Sequence, residues 1–402
     1  MRHMPARLLA VLFVIAAVAA GCGASDESAD GSADNSSTTA PVSDEDTEDA
    51  APTTDSEPEA TTTTAAVEAD PPAADTEPQE VGGAVDEGDD ALTLSDTAVD
   101  NSALNFVTPP APACSAPPAV SVGLTTGTLE SGGIEYNYQW TVPSTYDGSA
   151  IPVVLDFHGL GSNGAQQALF AGWSAKAESD GFLAVQPTGS TVDSDGRNAW
   201  ELPQLDSPLR NDIAMVVDLL DLVSANICID SARVYATGMS NGSFFTSTLV
   251  CDLSERIAAA ASVAGVTHHE SCDPTRAVPY LAFHGTADTV VPFNGGGEST
   301  LDGASQAGDF FEQVIPDEFA EFAGDFGCTE ATDSQVTPEV TLTSYAGCDD
   351  DVPLGFYTIE GGGHTWPGSA ISAAISSLGE TNLDISATDL AWDFFTQQSL
   401  EP

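Results

Sequence analysis

The chain has little positive charge. Its 402 residues include 8 lysines and arginines against 62 aspartates and glutamates, a formal net charge of −54. This balance excludes nucleic acid as a partner, because the phosphate backbone would be repelled. Outside any linker, such acidity is typical of a solvated surface that keeps a protein soluble.

Long apolar runs are also missing. The longest one, over residues 8–20, is shorter than the roughly 20 apolar residues that a membrane-spanning helix needs. We therefore expect no transmembrane helix in the mature protein. The seven cysteines include no C-x-x-C pair, so the sequence predicts no metal site.

The first residues have the pattern of an export signal. Arg2 and Arg7 precede the apolar run, which ends in small residues just before Cys22. A cysteine directly after Ala-Ala-Gly resembles a bacterial lipobox. We predict a lipoprotein signal peptide over residues 1–21, acylation of Cys22, and a location at the extracellular face of the membrane. An ordinary cleaved signal, giving a secreted protein, is the alternative.

Residues 22–112 are rich in alanine, threonine, proline and acidic residues. Residues 23–112 hold 23 of the 62 acidic residues and no lysine or arginine. Such a composition cannot bury enough apolar surface to offset its ordering entropy. We predict a disordered linker that is extended by its own charge.

Export also changes the interpretation of the cysteines. Six of them follow the linker, and an even number in an oxidising compartment indicates three disulfides. Fifteen pairings are possible, and closeness in sequence favours two of the pairs, which leaves the third. The predicted pairs are Cys251 with Cys272, Cys328 with Cys348, and Cys114 with Cys228.

Short apolar runs alternate with helical stretches over residues 113–402. Strands are predicted over residues 134–142, 151–157, 182–186, 233–237, 257–264, 279–283, 339–345 and 352–359. Helices are predicted over residues 164–179, 209–225, 241–251, 317–326 and 387–397. This alternation predicts one α/β domain, with a mainly parallel sheet and helices on both of its faces.

One motif indicates a nucleophile. Gly238-Met239-Ser240-Asn241-Gly242 fits G-x-S-x-G, a pattern that chance also produces in a chain rich in glycine and serine. Its context is more specific, because a predicted strand precedes it and a predicted helix follows it, as a nucleophile elbow requires. We predict that Ser240 is the nucleophile; a capping serine at the helix start is the alternative.

A serine nucleophile needs a base and a group that orients the base. His364 follows a predicted strand in a glycine-rich loop, and we predict that it is the base. His158 and His284 close strands and are interpreted as structural. His268 and His269 lie in a loop that no strand directs.

The orienting acid is predicted to be Asp288. It lies just beyond the strand over residues 279–283, at the carboxyl end of the sheet, where the site of such a fold lies. Glu270 and Asp273 are alternatives without a strand to direct them. A turn-capping role is the plain structural alternative for Asp288.

The negative oxygen formed during attack needs fixed hydrogen-bond donors. One should be the backbone N–H of Asn241, next to the nucleophile. The other should come from the loop after the strand over residues 151–157, from Leu160 or Gly161. The sequence leaves this choice open.

Four motifs in order resemble a known family. They are His158-Gly159, the stretch over residues 233–242, the stretch over residues 284–293 with its Asp288, and the stretch over residues 362–368. Together they are similar to the poly(3-hydroxybutyrate) depolymerase family, which includes feruloyl and acetylxylan esterases of carbohydrate esterase family one. The likeness covers residues 117–395, although Leu160 stands where many members have cysteine.

The resemblance implies an α/β-hydrolase fold and a cofactor-free serine esterase, and we expect the protein to be a monomer. It places the triad on Ser240, Asp288 and His364, and it implies an ester substrate, either a hydroxyalkanoate oligomer or an acylated polysaccharide. Trp200 and Trp366 also match family positions; they either line the acyl pocket or are core tryptophans. The alternative function is a catalytically silent surface lipoprotein that uses the fold as a binding module.

Overall fold

The computed structural model describes residues 120–190, 196–202, 210–296 and 313–400. The predicted signal peptide, the predicted linker with Cys22, and Cys114 all lie outside these residues. The described residues all fall within one compact unit.

A ten-stranded sheet runs through this unit, in the order β1-β2-β4-β3-β5-β6-β7-β10-β9-β8. The strands are β1 (Gly123–Ser131), β2 (Ile134–Val142), β3 (Ile151–Phe157), β4 (Leu183–Thr188), β5 (Ile229–Met239), β6 (Ala259–Val263), β7 (Tyr280–Gly285), β8 (Glu330–Thr337), β9 (Val340–Ala346) and β10 (Leu354–Ile359). The run from β4 to β10 pairs in parallel. Both ends of the sheet pair antiparallel.

Helices cover both faces of the sheet, as predicted. They are α1 (Gly164–Ala171), α2 (Trp173–Asp180), α3 (Asp212–Asn226), α4 (Asn241–Asp252), α5 (Ile315–Asp325), α6 (Ala370–Ala373) and α7 (Ala387–Phe395). Along β5, Val234 and Ala236 join the apolar layer that α3, α4 and α5 complete. Tyr235 and Met239 join the opposite layer, with α1, α2 and α7. This alternation follows from the two-residue period of a strand.

The predicted helix over residues 164–179 is two helices. Gly172 separates α1 from α2 and has a φ of 76°. Glycine adopts this left-handed conformation without a Cβ clash, and it commonly ends helices for that reason. The apolar pattern continues across the break, so the pattern alone did not reveal it.

The sequence did not predict β1 or β8. β1 is rich in threonine, and β8 is exposed at every position but its last, which is half-buried. Both lie at an end of the sheet. Edge strands with one or no buried face lack the apolar run that identifies the central strands.

Two of the predicted disulfides are confirmed. Cys251 bonds to Cys272 and Cys328 to Cys348, over sequence separations of 21 and 20 residues. A disulfide that closes a loop of this length stabilises the folded protein by about 3 kcal/mol, mainly because it constrains the unfolded chain. The third predicted pair includes Cys114 and so stays a prediction. Among the described helices, none has the length and apolar character needed to cross a membrane.

Candidate active site

Ser240 lies at a sharp turn between β5 and α4. Its φ is 56° and its ψ −120°, a backbone conformation that a residue with a Cβ rarely adopts and that costs of order 1–3 kcal/mol. Hydrogen bonds hold it there. Its N–H donates to the carbonyl of Val263 over 3.0 Å, and its own carbonyl accepts from Ser243 and Phe244.

The glycines on either side of Ser240 are required by close backbone contacts. A Cβ on Gly238 would lie 2.3 Å from the carbonyl oxygen of Gly242. A Cβ on Gly242 would lie 2.2 Å from the carbonyl oxygen of Phe157, at the end of β3. Only glycine therefore lets α4 begin this close to β3 and β5. The strand, turn and helix predicted around Ser240 are all present.

Asp288 and His364 form a direct hydrogen bond. Nδ1 of His364 lies 2.7 Å from Oδ2 of Asp288, and both side chains are buried. The other carboxylate oxygen, Oδ1, accepts from the N–H groups of Val290 and Val291, each over 2.8 Å. The carboxylate is thus fixed in direction, and an Nδ1–H that donates to it leaves Nε2 of His364 as the basic nitrogen.

The pKa of Asp288 is held below its ordinary value. Burial alone would raise this pKa. The neighbouring His364 and the hydrogen bond from it outweigh the burial, with a smaller contribution from His284 and the N–H of Val291. The carboxyl group is therefore ionised at neutral pH.

Neighbouring strands bring Asp288 and His364 together. Asp288 follows β7 and His364 follows β10, and these strands pair in parallel. The two loops are joined because Ala287 donates to the carbonyl of Gly362 over 2.9 Å. Ser240 follows β5 in the same parallel run, so it lies at the same edge of the sheet.

The loop after β3 passes beside Ser240. A Cβ on Gly159 would lie 3.4 Å from Cβ of Ser240. In this loop the N–H of Gly161 donates to the carbonyl of Asn198 over 2.8 Å. Asn241 is the first residue of α4, and the first N–H groups of a helix have no acceptor within that helix.

His158 and His284 contribute to structure, as predicted from their positions. Nε2 of His158 accepts from the N–H of Gly189 over 2.9 Å, and burial lowers the pKa of His158 to about 4, so it is neutral. His284 is buried, and its Nε2 donates to the carbonyl of Val291 over 2.9 Å. Nε2 of His284 also lies 3.4 Å from Oδ2 of Asp288. His284 therefore supports the turn that carries Asp288.

Trp200 and Trp366 have about 1% of their surface exposed. The indole N–H of Trp200 donates to the carbonyl of His158, and its ring stacks on Phe245 with centroids 5.2 Å apart. The indole N–H of Trp366 donates to Oγ1 of Thr388 over 2.9 Å. Both tryptophans therefore have the contacts of core residues, the second of the two readings that the sequence left open.

Two groups of side chains in the described part of the chain have metal-ligand chemistry. One is Cys251, His269 and Cys272, and the other is His268, Cys272 and Asp325. Each depends on a sulfur of the Cys251–Cys272 disulfide. A disulfide sulfur is not a thiolate, which is the form that binds metals, so neither group is a ligand set in this state.

The fold and the site together define an α/β-hydrolase: a mainly parallel sheet between helices, a serine at a strand-to-helix elbow, and an Asp–His pair beyond later strands. No protein-family model matches the chain. It is 28% identical to feruloyl esterase B of Piromyces equi over 228 residues, which are 55% of this chain and 41% of that protein.

Two further relatives have related names. The bifunctional acetylxylan esterase/xylanase XynS20E of Neocallimastix patriciarum is 26% identical over 62% of this chain and 31% of its own length. Poly(3-hydroxyalkanoate) depolymerase C of Paucimonas lemoignei is 30% identical over 125 residues, 31% of this chain and 30% of that protein. The chain spans less than half of the length of all three. The resemblance that the four motifs predicted is confirmed.

Among solved structures, acetyl xylan esterase from Aspergillus awamori is similar, with a TM-score of 0.43 and 16% identity. The match covers 60% of this chain and 94% of that one.

Proposed function

We propose that the protein is an exported serine esterase that hydrolyses carboxylic esters through Ser240, His364 and Asp288. The observation that carries the proposal is the buried 2.7 Å hydrogen bond between His364 and Asp288. This hydrogen bond lies beyond the carboxyl ends of the parallel strands, on the same side of the sheet as Ser240 in its strained elbow. A buried serine, imidazole and carboxylate at one edge are the groups that acyl transfer requires.

In the proposed reaction, Oγ of Ser240 attacks the ester carbonyl carbon while Nε2 of His364 takes the hydroxyl proton. The tetrahedral intermediate collapses, the C–O bond to the alcohol breaks, and His364 gives its proton to the departing alcohol oxygen. Water then attacks the acyl-Ser240 ester and gives a proton to His364. The second tetrahedral intermediate collapses, the bond between the acyl carbon and Oγ of Ser240 breaks, and His364 returns its proton to Oγ as the acid leaves. Asp288, ionised throughout, stabilises the imidazolium that forms in each half.

The backbone N–H groups of Asn241 and Leu160 are the proposed donors to the oxyanion. Asn241 supplies the first N–H of α4. Of the two candidates in the loop after β3, Gly161 already donates its N–H to Asn198. Leu160 is therefore the second donor that we propose, in a loop that passes beside Ser240.

For the substrate, we propose an ester of an acylated polysaccharide or a hydroxyalkanoate oligomer. The names of the relatives support both, since they include a feruloyl esterase, an acetylxylan esterase and a polyhydroxyalkanoate depolymerase. An acidic chain with a net charge of −54 also favours uncharged esters over anionic ones.

A lipid anchor on Cys22, followed by the acidic linker, is the proposed route to the outer face of the membrane. Cys22→Ala should move the protein from the membrane fraction to the medium. Unchanged fractionation would remove the anchor from the proposal and leave the esterase chemistry untouched.

The test of the chemistry is hydrolysis of a chromogenic short-chain ester by the purified protein, together with labelling by a serine-directed fluorophosphonate. We expect turnover, and a single label on Ser240 located by peptide mass mapping. Ser240→Ala should lose both. Full activity in a folded Ser240→Ala protein would overturn the proposal, and a folded wild type without any activity would favour the binding-module alternative.

A further inference from the structure

Residues 198–200 connect the two places from which the proposed oxyanion donors come. On one side they hold the loop after β3. The carbonyl of Asn198 accepts from Gly161, and its Nδ2 donates to the carbonyl of Ser162 over 2.9 Å. The indole N–H of Trp200 donates to the carbonyl of His158 over 2.9 Å. Leu160 is therefore flanked by tethered residues on both sides.

On the other side, the same residues hold the start of α4. Oδ1 of Asn241 accepts from the N–H of Trp200 over 2.7 Å, and its Nδ2 donates to the carbonyl of Trp200 over 3.3 Å. The carboxamide of Asn241 thus binds both backbone groups of one residue. The backbone N–H of Asn241 is at the same time the other proposed donor.

A buried ion pair anchors this connection to the rest of the domain. Nη2 of Arg210 donates to the carbonyl of Ala199 over 2.6 Å and lies 2.8 Å from Oδ2 of Asp212. Nη1 of Arg210 donates to Oγ of Ser190 over 2.6 Å. Asp212 in turn accepts from the N–H of Glu201 over 2.7 Å. Both charges are buried, so breaking this pair would leave an uncompensated charge.

We propose that residues 198–200 set the distance between the two oxyanion donors, and that the Asn241 side chain is the positioning group that transmits it to α4. This inference rests on the proposed function. Donors to an oxyanion act at 2.7–3.1 Å, and a displacement of about 0.5 Å is enough to weaken them. Asn198, Trp200 and the Asn241 side chain are positioning residues, because they act through the Leu160 and Asn241 N–H groups.

A positioning role predicts a specific kinetic signature. Oxyanion donors bind the tetrahedral transition state more strongly than the planar ester. Loosening them should therefore lower kcat and leave KM nearly unchanged. A general loss of structure would instead lower the active fraction without changing the affinity of the remaining sites for a transition-state analogue.

The central experiment uses Asn241→Ala in the full chain. We expect kcat on a short-chain ester to fall by about 10- to 100-fold, less than or equal to the loss of a whole donor, with KM within about threefold of wild type. A trifluoromethyl ketone forms a tetrahedral adduct with serine. Its inhibition constant should rise by the same factor by which kcat falls.

Tyr235→Phe is the matched control. It removes one hydrogen bond of similar length, from the Tyr235 hydroxyl to the carbonyl of Gln398 over 2.9 Å. The ring of Tyr235 packs with Trp392 and Phe395, in the apolar layer on the other face of the sheet from α4. Its kcat and ketone affinity should match wild type.

Trp200→Phe is a second test. It keeps an aromatic ring but removes the hydrogen bond to the carbonyl of His158, and we expect a smaller fall in kcat than in Asn241→Ala, with KM again unchanged.

Wild-type kcat and ketone affinity in Asn241→Ala would overturn the inference, as would a loss no larger than that in Tyr235→Phe. If Asn241→Ala fails to fold, Trp200→Phe becomes the deciding variant. A wild-type kcat and ketone affinity in Trp200→Phe would then overturn the inference. If Ser240→Ala is inactive while these variants are normal, only the positioning inference fails. If Ser240→Ala is fully active, the proposed function fails first.

Discussion

The centre of the sheet and its β8–β9 end differ in what they bury and in what they carry. β6 and β7 are buried at every residue, whereas β8 is exposed over nearly its whole length. Ser240, Asp288 and His364 all follow central strands, and the outer end is closed by the Cys328–Cys348 disulfide instead. Buried parallel strands fix the loops at their ends to within fractions of an ångström, which is the precision that a catalytic site needs.

The largest effects should come from the site at the centre. Ser240→Ala and His364→Ala should each lower kcat/KM by a similar factor, on the order of a thousandfold or more, and the double variant should be little worse. The reason is that, in the proposed mechanism, serine and base act as one unit. On the outer end, Thr343→Val removes a 2.7 Å hydrogen bond to Asp333 across β9 and β8 and should leave the rate unchanged. Independent, multiplying losses in the double variant would contradict the shared mechanism.

Asp288→Asn should be nearly as severe. The amide keeps the size of the carboxylate, but it removes the charge that the imidazolium needs and permits the wrong tautomer of His364. Stability should fall less than activity, because one oxygen can still accept from Val290 and Val291. Parallel measurement of kcat and of urea unfolding would separate the two, and a rate loss that merely tracks the unfolded fraction would refute the role.

Replacing a glycine by alanine should change the free energy of unfolding in opposite directions beside the site and in an outer helix. Gly242→Ala forces a Cβ to within 2.2 Å of the Phe157 carbonyl, so we expect a destabilisation of about 3 kcal/mol or more, measured by urea unfolding. Gly324 lies in α5, and beyond its chain neighbours and the backbone of its own helix no atom lies within 4 Å of its added Cβ. Gly324→Ala should therefore stabilise the fold by up to about 1 kcal/mol, because alanine favours helix. Equal effects at both positions would show that backbone approach is not what requires Gly242.

The same contrast explains which parts of the fold and the site could be predicted from the sequence. Central strands and the loop residues Ser240, Asp288 and His364 were predictable, since apolar runs locate buried strands and chemistry follows their carboxyl ends. The segment that joins the proposed oxyanion donors was not predictable. Its contacts are largely to backbone groups distant in the chain, such as those between Trp200 and Asn241, and these leave no residue pattern. The one available hint of this segment was that Arg210 lies close to Asp212, in a chain with very few basic residues.

The smallest expected effect concerns the two ends of α4. Ser240 precedes its first residue, while Asp252 ends it and is about a quarter exposed. Burial raises the pKa of Asp252 to about 6. Nε2 of His269 lies 3.8 Å from Oδ1 of Asp252, but burial lowers the pKa of His269 to about 4, so at neutral pH this histidine brings no positive charge. Asp252 is thus the reverse of Asp288, whose carboxylate is paired and whose pKa is lowered.

The sign of the pH dependence follows from that difference. A carboxyl group whose pKa is raised by folding contributes stability below its unfolded pKa, and this contribution is lost as the pH rises through about 6. Asp252→Asn imitates the neutral form. It should therefore raise Tm by a few degrees at pH 8 and have almost no effect at pH 4, with esterase activity unchanged at both. Thermal unfolding of the wild type and the variant across this range measures the effect, and an equal shift in Tm at pH 4 and pH 8 would show that the charge of Asp252 is not its cause.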